Sequence, residues 1–418
     1  MESNRFGMSR RNFVKLSGAA GILSVAALAG CGSNGGSSSD GGSSDGGAKF
    51  KVGGIGPVTG AAAIYGNACK NGAQVAIDEL ASKGGKVQFD FNFQDDEADA
   101  EKAVNAYNNL KDWGMQILVG VTTTAPCVAV SSETNSDNLF QITPSASSTD
   151  VIGGQPDADG NVSTPRKKNV FQMCFTDPNQ GTASADYIAK QKLGTKIAVF
   201  YNNGDAYSTG IYKKFEAEAA NQGLQIVSTT TFTDDSATDF SVQVNDAKNA
   251  GADLVFLPIY YTPAALYLKQ AKDNGLMDGK VKFFGCDGLD GILTLEGFDK
   301  SLAEGVMLLT PFTADATDDL TKTFVDTYKK NYDGTPNQFA ADAYDCVMML
   351  AQAIEKAGVT ADQSFSDICD KLVETITSSD FSYSGLTGQN MTWKDTGEVS
   401  KEPKGMVIKD GAYVGMDK

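Results

Sequence analysis

An α/β architecture is first indicated by Lys51-Val52-Gly53-Gly54-Ile55-Gly56-Pro57, which is typical of a buried strand that ends in a glycine-rich turn. A helix is predicted directly after this turn, over residues 65–83, because apolar residues recur there at helical spacing before Gly84-Gly85. A second strand is predicted at 87–94, and Asp95-Asp96 are expected to cap the next helix. The order of these elements favours a parallel sheet covered by helices.

The alternation of strands and helices continues along most of the chain, with one loop-rich interruption at residues 150–169. Further strands are predicted at 116–120, 139–143, 196–201, 224–231, 254–258, 281–285 and 305–310. Helices are predicted after Pro126, at 210–222, 240–250 and 263–274, and then as an amphipathic pair at 318–331 and 337–357. The segments 391–393 and 405–408 are β-like. We therefore expect two Rossmann-like α/β lobes with a ligand cleft between them.

The first 30 residues have the features of an export signal. Ser9-Arg10-Arg11-Asn12-Phe13-Val14-Lys15 is typical of twin-arginine signals, and an apolar stretch leads to the lipobox Leu28-Ala29-Gly30-Cys31. These features predict cleavage before Cys31. The mature protein would then be extracytoplasmic and would contact the membrane only through a lipid on that cysteine. Residues 31–48 are interpreted as a tether, because the glycine-, serine- and aspartate-rich run 32–47 has no apolar side chain to bury.

The composition argues against several classes of protein. The net charge is −17, and it becomes −20 once residues 1–30, which hold four basic residues and one acidic residue, are removed. Such an acidic surface repels nucleic acids and anionic lipids. The chain has no histidine, the commonest general base and a common zinc ligand. The glycines of 54–60 do not match a dinucleotide fingerprint, and there is no Walker loop. We expect a protein that is not an enzyme and needs no cofactor or metal.

The six cysteines that follow Cys31 form no Cys-x-x-Cys pair, so metal or redox chemistry is unsupported. Twin-arginine export carries folded proteins out of a reducing cytosol, which favours buried free thiols. A Cys69–Cys127 disulfide is the alternative. The six residues are Cys69, Cys127, Cys174, Cys286, Cys346 and Cys369.

Hydroxyl-bearing residues are dense in two loops that follow strands of the first lobe. Thr124 precedes Pro126 at the predicted start of a helix, and Thr143-Pro144-Ser145-Ala146-Ser147-Ser148-Thr149 follows the next strand. Two helix N-termini that face one cleft can neutralise a carboxylate without any basic side chain. The alternative is that these serines and threonines only cap helices.

The second lobe contributes aromatic rings and one carboxylate at corresponding places. Tyr207 and the pair Tyr260-Tyr261 follow predicted strands, and Asp287 ends another. An aspartate opposite two helix N-termini suits a ligand ammonium, because a buried charge must be paired. The alternative is that Asp287 caps a turn. The tyrosines, with Tyr65 from the first lobe, would enclose the cavity.

Taken in order, these motifs resemble the type I periplasmic binding proteins, specifically the branched-chain amino-acid (Leu/Ile/Val) binding subfamily of ABC transporters. The resemblance extends from about Phe50 to the C-terminus. It rests on Gly56-Pro57-Val58-Thr59-Gly60, Tyr65-Gly66, Asp95-Asp96, Ile142-Thr143-Pro144-Ser145-Ala146-Ser147, Asp205-Ala206-Tyr207, Tyr260-Tyr261-Thr262-Pro263 and Gly285-Cys286-Asp287-Gly288. It implies one lobe made of 49–168 and 312–388, and another made of 169–311 and 389–418. Crossing segments near 169, 311 and 389 would then form a hinge.

The resemblance also implies a role for each candidate residue. Thr124 and Ser147, with Ala146 beside them, would bind the ligand carboxylate, helped by nearby backbone N–H groups. The carbonyl of Ser145 and the carboxylate of Asp287 would hold the ammonium. The rest of the ligand would be enclosed by Tyr65, Tyr207 and one of Tyr260 or Tyr261. The family more often has Gly or Pro in place of Cys286 and often an aromatic residue in place of Leu289, so the side-chain preference stays open.

The function implied is that of a solute-binding lipoprotein that captures a free amino acid, branched-chain or otherwise apolar or small. Closure of the lobes would hold the ligand for delivery to the permease and ATPase subunits of an ABC importer. The alternatives are an amide, urea, an aromatic acid or a small peptide as ligand, or a sensor for a partner receptor. A ligand without an amine would leave Asp287 unpaired, so an amino acid ranks first.

Overall fold

The computed structural model describes residues 48–155, 162 and 164–416. The expected export signal, Cys31 and residues 31–47 of the expected tether lie outside these described residues. Within the described part, every helix is too short or too polar to cross a membrane.

The first sheet has five strands, all paired in parallel, in the order β2-β1-β3-β4-β5. The strands are β1 (Phe50–Gly56), β2 (Phe89–Asp95), β3 (Ile117–Val119), β4 (Phe140–Thr143) and β5 (Val170–Gln172). The first crossovers are helical: α1 (Ala63–Ser82), α2 (Ala100–Trp113) and α3 (Thr124–Asp137). Because β5 pairs with β4, this sheet continues to Gln172, beyond the crossing expected near residue 169.

The second sheet has seven strands in the order β12-β11-β10-β9-β8-β6-β7. Its strands are β6 (Lys196–Asn202), β7 (Gln225–Phe232), β8 (Leu254–Leu257), β9 (Lys282–Gly285), β10 (Met307–Thr310), β11 (Lys404–Lys409) and β12 (Ala412–Gly415). Its helices are α4 (Asp177–Lys190), α5 (Ala206–Asn221), α6 (Ser241–Asn249) and α7 (Tyr261–Asp273). The strands β11 and β12 pair antiparallel, and β6 to β10 pair parallel.

Three further helices return the chain to the first sheet: α8 (Asp319–Asn331), α9 (Gln338–Ala357) and α10 (Phe365–Ile376). Helix α9 packs on α1, and α10 contacts α9 and β4. The α1–α9 contact is so close at Gly72 that an added Cβ would lie 2.0 Å from the Ala340 carbonyl oxygen. We call the first sheet with α1–α3 and α8–α10 lobe 1, and the second sheet with α4–α7 lobe 2. The expected α/β fold with two sheet domains is confirmed.

The predicted cap of α2 is wrong. Asp99 is the N-cap, since its carboxylate accepts from the Lys102 N–H at 2.9 Å. Asp95 instead accepts from the N–H of Val58 at 2.9 Å and from the hydroxyl of Thr59 at 2.6 Å. The chain makes a turn between β2 and α2, which moves the start of the helix beyond the acid pair.

Other elements were missed or misplaced at their starts. The strand β5 was missed because it has only three residues. Helix α4 was also not predicted, although Thr176-Asp177-Pro178 is a helix-start signature. Helix α10 was also missed. Helix α5 begins at Ala206 rather than 210, because Asp205 caps it. Helix α3 begins before Pro126, which is tolerated in a first turn.

The six cysteines of the described chain are buried, as expected, and none forms a disulfide. The Sγ of Cys69 lies 3.9 Å from the Ser145 hydroxyl, and the Sγ of Cys127 accepts from the Gln141 side-chain amide at 3.4 Å. Burial raises the pKa of the Cys69 and Cys127 thiols to about 12 in each case. The alternative Cys69–Cys127 bridge is absent from this structure.

Candidate ligand-binding site

A narrow cavity lies between the lobes, at the carboxyl ends of the strands. Seven of the nine predicted site residues line it: Tyr65, Thr124, Ser145, Ser147, Tyr207, Tyr260 and Asp287. Thr122, Thr123, Gly288 and Phe339 complete the lining and were not predicted. The free volume is about 20 Å³, room for about one water molecule. The lobes are therefore closed tightly on one another here.

Asp287 is the acid of this cavity and is held by two side chains of lobe 2. Its Oδ1 accepts from the Tyr207 hydroxyl at 2.7 Å, and its Oδ2 accepts from the Gln180 amide at 3.0 Å. The Asp287 N–H in turn donates to the Gln180 side-chain oxygen at 3.2 Å. Burial raises the pKa of Asp287 to about 7, although these hydrogen bonds act to lower it. A ligand cation would restore the charged form.

Asp177 is a second buried acid close to this network, and the sequence analysis missed it. It lies in the first turn of α4, one turn before Gln180, and its N–H donates to the Ser147 carbonyl at 2.9 Å. Its carboxylate oxygens make no hydrogen bond of normal geometry among the described residues, although the Ser147 hydroxyl interacts with the carboxylate and acts to lower its pKa. Burial raises the pKa of Asp177 well above its usual range, and the charge of Asp287 adds to the rise. The lobe 2 side of the site therefore disfavours additional negative charge.

The opposite wall is formed by lobe 1 at the N-terminus of α3. Thr123 precedes the helix, and its buried hydroxyl has no hydrogen-bond partner within the described chain. The backbone of Thr124 hydrogen-bonds to the Tyr260 hydroxyl, which lowers the pKa of that group against the larger raising effect of burial. Free N–H groups at a helix N-terminus attract anions. This wall is thus suited to a carboxylate.

Aromatic rings close the cavity. Tyr65 contacts Tyr260 and Phe339 with ring centroids 5.4 and 4.8 Å apart, and Tyr207 stacks on Tyr260 at 4.9 Å. The Tyr65 hydroxyl of lobe 1 donates to the Gly288 carbonyl of lobe 2 at 2.5 Å. These rings form a mainly apolar enclosure and connect the lobes. Phe339 was missed because it arrives on α9, far along the chain from the other lining residues.

Two predicted residues do not line the cavity. Ala146 is engaged with its own lobe: its N–H donates to the Thr143 hydroxyl at 2.9 Å and its carbonyl accepts from Gln172 at 2.8 Å. Tyr261 packs edge-on against Tyr65, and its N–H donates to the Tyr65 hydroxyl at 3.2 Å. Tyr260 rather than Tyr261 is therefore the lining tyrosine, while Tyr261 supports Tyr65 from outside.

The lining combines an acid, hydroxyls, aromatic rings and a helix N-terminus, and none of the residues that line it is basic. Such a set can bind a small dipolar molecule through an ammonium at Asp287 and a carboxylate at α3. Across the described residues, no group of three or more His, Cys, Asp or Glu side chains is arranged to hold a metal ion.

The chain is similar to proteins with known roles. The family model described as "periplasmic binding protein" matches residues 49–411. The Leu/Ile/Val-binding protein homolog 3 of Brucella melitensis is 28% identical over 88% of this chain and 93% of its own length. The leucine-, isoleucine-, valine-, threonine- and alanine-binding protein of Pseudomonas aeruginosa is 26% identical over 74% of this chain and 78% of its own length.

Solved structures show the same fold. A Streptococcus pneumoniae branched-chain amino acid transporter substrate-binding protein, in complex with isoleucine, has a TM-score of 0.74 at 24% identity over 88% of this chain and 100% of its own. A solute-binding protein from R. palustris in complex with benzoate has a TM-score of 0.74 at 19% identity over 88% of this chain and 96% of its own. From its sequence match and its architecture, the chain is a member of the periplasmic binding protein family of transporter substrate-binding proteins, which are not enzymes.

Proposed function

We propose that this protein captures a free amino acid, branched-chain or otherwise apolar or small, in the cavity between its lobes. The observation that carries the proposal is the position of Asp287, a buried acid that faces the N-terminus of α3 across a cavity with no basic lining residue. A zwitterion satisfies both poles at once. The named ligands of the amino-acid-binding relatives support the same class.

In the bound state, Asp287 pairs with the ligand ammonium, with the Ser145 carbonyl as a second acceptor. The carboxylate lies at the first turn of α3, near the hydroxyls of Thr123, Thr124 and Ser147. The Tyr260 hydroxyl hydrogen-bonds to the Thr124 backbone in the ligand-free protein, so it must move away when the ligand carboxylate binds there. Tyr65 and Tyr207 then enclose the side chain.

Binding proceeds by closure of the two lobes. The present free volume of about 20 Å³ is too small for an amino acid, so entry requires the lobes to separate. The hinge comprises the segments that cross between the lobes after β5, near residue 311 and just before β11. Contacts such as that of the Tyr65 hydroxyl with Gly288 form only when the lobes meet, and a ligand that touches both lobes stabilises this state.

The role in the cell that follows is delivery of the amino acid to the permease and ATPase subunits of an ABC importer. The twin-arginine signal and Cys31 support an extracytoplasmic location with a lipid anchor. Detection of lipid on the N-terminal Cys31 peptide by mass spectrometry of membrane fractions tests the anchor, and a Cys31→Ala variant is the control.

Aromatic acids are a less suitable class of ligand. A benzoate-like molecule has a carboxylate but no ammonium, so Asp287 would stay buried and unpaired. Asp287 therefore favours amino acids over the aromatic acid held by the R. palustris neighbour.

Calorimetric titration of the protein with a panel of amino acids, amides, urea and benzoate tests the proposal. Asp287→Ala should weaken amino-acid binding by at least tenfold, because an unpaired buried ammonium costs about 2–5 kcal/mol. Asp112→Ala, which removes an exposed acid at the end of α2, is the matched control and should leave affinity unchanged. Equal affinity of the wild type and Asp287→Ala, or binding of benzoate alone, would refute the proposal.

A further inference from the structure

A second cavity, of about 410 Å³, lies beside the turn that carries Asp287. Both lobes form its walls: the turns after β9, the end of β10 and β12 from lobe 2, and the α8–α9 connection from lobe 1. Its volume is within the range of sites for small molecules, about 300–1,000 Å³. No role for it follows from the amino-acid site described above.

Asp290 is the buried acid of this cavity, and one of its two carboxylate oxygens accepts a well-aligned hydrogen bond. Its Oδ2 accepts from the Gln338 N–H, at the N-terminus of α9, at 2.9 Å. Its Oδ1 makes no hydrogen bond of normal geometry among the described residues, although the side chains of Gln338 and Tyr413 lie close enough to interact with the carboxylate, and the residue is 5% exposed. The Tyr413 hydroxyl accepts from the Gly291 N–H at 3.1 Å and lies 3.5 Å from the Leu289 carbonyl oxygen.

A buried carboxylate oxygen without a donor is costly to leave in place. Burial raises the pKa of Asp290 to about 6, although hydrogen bonds from Gln338, Tyr413 and the Gly291 N–H act to lower it. Asp290 therefore carries its charge in neutral or mildly alkaline solution. A donor or cation that entered the cavity would meet a carboxylate oxygen whose donors within the protein are poorly aligned.

The remaining walls define the rest of such a ligand. Leu293, Leu308 and Phe312 are buried and apolar, which suits a hydrocarbon body. Lys300 and Lys329 are exposed residues of the same lining, and the described chain offers neither an ion-pair partner. The solvent side carries two lysines against one exposed acid, Asp315, so it stays net positive. With an acid inside, this lining complements a zwitterion that enters with its ammonium first.

We propose that this cavity is a second ligand site, which binds a small apolar zwitterion with its ammonium on Asp290 and its anionic group towards Lys300 and Lys329. The site communicates with the first, because the Asp290 N–H donates to the Asp287 carbonyl at 2.8 Å. It also bridges the lobes through Gln338. An occupant therefore strengthens a lobe-to-lobe contact and shifts the protein towards closure.

Three probes with one hydrocarbon body test the proposal: leucine, isoamylamine, which lacks the carboxylate, and 4-methylpentanoate, which lacks the ammonium. Each is titrated calorimetrically into the Asp287→Ala protein at about pH 8, so that the first site is weakened and Asp290 is ionised. Leucine should bind with millimolar affinity, isoamylamine more weakly, and 4-methylpentanoate not measurably. Replacing both Lys300 and Lys329 by glutamine should lower the affinity for leucine to that for isoamylamine.

When it is added to the Asp287→Ala protein, Asp290→Asn should weaken the binding of leucine and of isoamylamine at least tenfold. Asp333→Asn, an acid-to-amide change at an exposed residue beside the cavity, should have no effect. Ala314→Trp fills the cavity but keeps Asp290, and it should also abolish binding of the probes. This variant is the second test if Asp290→Asn does not fold. The proposal is overturned if no probe binds, or if binding is indifferent to both Asp290→Asn and Ala314→Trp. The Asp287-dependent binding of the wild type is measured separately, so failure of either site is distinguishable.

Discussion

The Tyr207 hydroxyl donates a hydrogen bond to Oδ1 of Asp287 at 2.7 Å and accepts one from the Gly288 N–H at 3.0 Å. One hydroxyl thus orients the carboxylate and fixes the turn that carries it. An added Cβ at Gly288 would lie 2.6 Å from the same oxygen, so only glycine allows this approach. The position of the Asp287 carboxylate is therefore set by its contacts with Tyr207 and Gly288, and not only by its own side-chain torsions.

Tyr207→Phe should weaken amino-acid binding about tenfold. The variant keeps the ring that stacks on Tyr260 but removes a hydrogen bond to a charged group, which contributes about 1.5–3 kcal/mol. Calorimetric titration with the preferred amino acid measures the loss. Tyr212→Phe, which removes an exposed hydroxyl bound to Glu216, is the control and should leave affinity unchanged. Unchanged affinity of Tyr207→Phe would contradict the orienting role.

Amino-acid affinity should depend on pH through Asp287. Its pKa is about 7 in the ligand-free protein, because burial outweighs the hydrogen bonds from Tyr207 and Gln180. Below that pH a proton competes with the ligand ammonium, so affinity should fall by up to about tenfold per pH unit. Calorimetry from mildly alkaline to mildly acidic solution measures the fall, and Asp287→Asn should flatten the profile. Affinity that rises on acidification would contradict this assignment.

The same pKa predicts the pH dependence of stability. An unfolded aspartate has a pKa of about 3.9, so between about pH 4 and the folded value the folded state binds more protons. The contribution of Asp287 to the free energy of unfolding is therefore lost as pH rises through that window. Urea unfolding of the ligand-free wild type and of Asp287→Asn should show the variant gaining relative stability as pH rises. The reverse trend would contradict the burial argument.

Asp177→Asn should stabilise the ligand-free protein in mildly alkaline solution by about 1 kcal/mol or more. The amide keeps the shape of the side chain but cannot ionise, whereas burial raises the pKa of Asp177 and penalises its charged form. The Ser147 hydroxyl, which interacts with the carboxylate, can donate to the amide oxygen instead. Thermal unfolding of the two proteins measures the difference. A lower melting temperature for Asp177→Asn would show that the acid has a stabilising partner.

Lys401→Met should destabilise the fold by about 3–5 kcal/mol. The Lys401 Nζ lies 2.5 Å from Oδ1 of Asp342 on α9, and both side chains are buried, at 0% and 2% exposure. Removing the lysine leaves a buried carboxylate without its counter-charge. The free energy of unfolding in urea measures the loss, and Lys401→Met with Asp342→Leu should recover most of it. A loss below about 1 kcal/mol would contradict the ion pair's role.

Much of the architecture follows from local chemistry. The run at 51–57 forms β1 almost as predicted, because its apolar residues and the glycine-rich turn after it are local signals, while its backbone hydrogen bonds come from β2 and β3. Helix α9 was predicted at 337–357 and extends over Gln338–Ala357, since its apolar stripe and the Asn337 cap are both local features. Such features lie within a few residues of one another, so the sequence alone can predict them.

The lining of the site required the tertiary structure. Tyr260 and Tyr261 are adjacent in sequence, yet one lines the cavity and the other supports Tyr65, because α7 begins between them. Asp177 lies on α4, which was not predicted, and Phe339 lies on α9, which was predicted without its contact to the site. The sequence determined the types of group available and the strand ends on which they lie. Packing between elements far apart in the chain decided which of them share the cavity, because side-chain direction there depends on contacts between the two lobes.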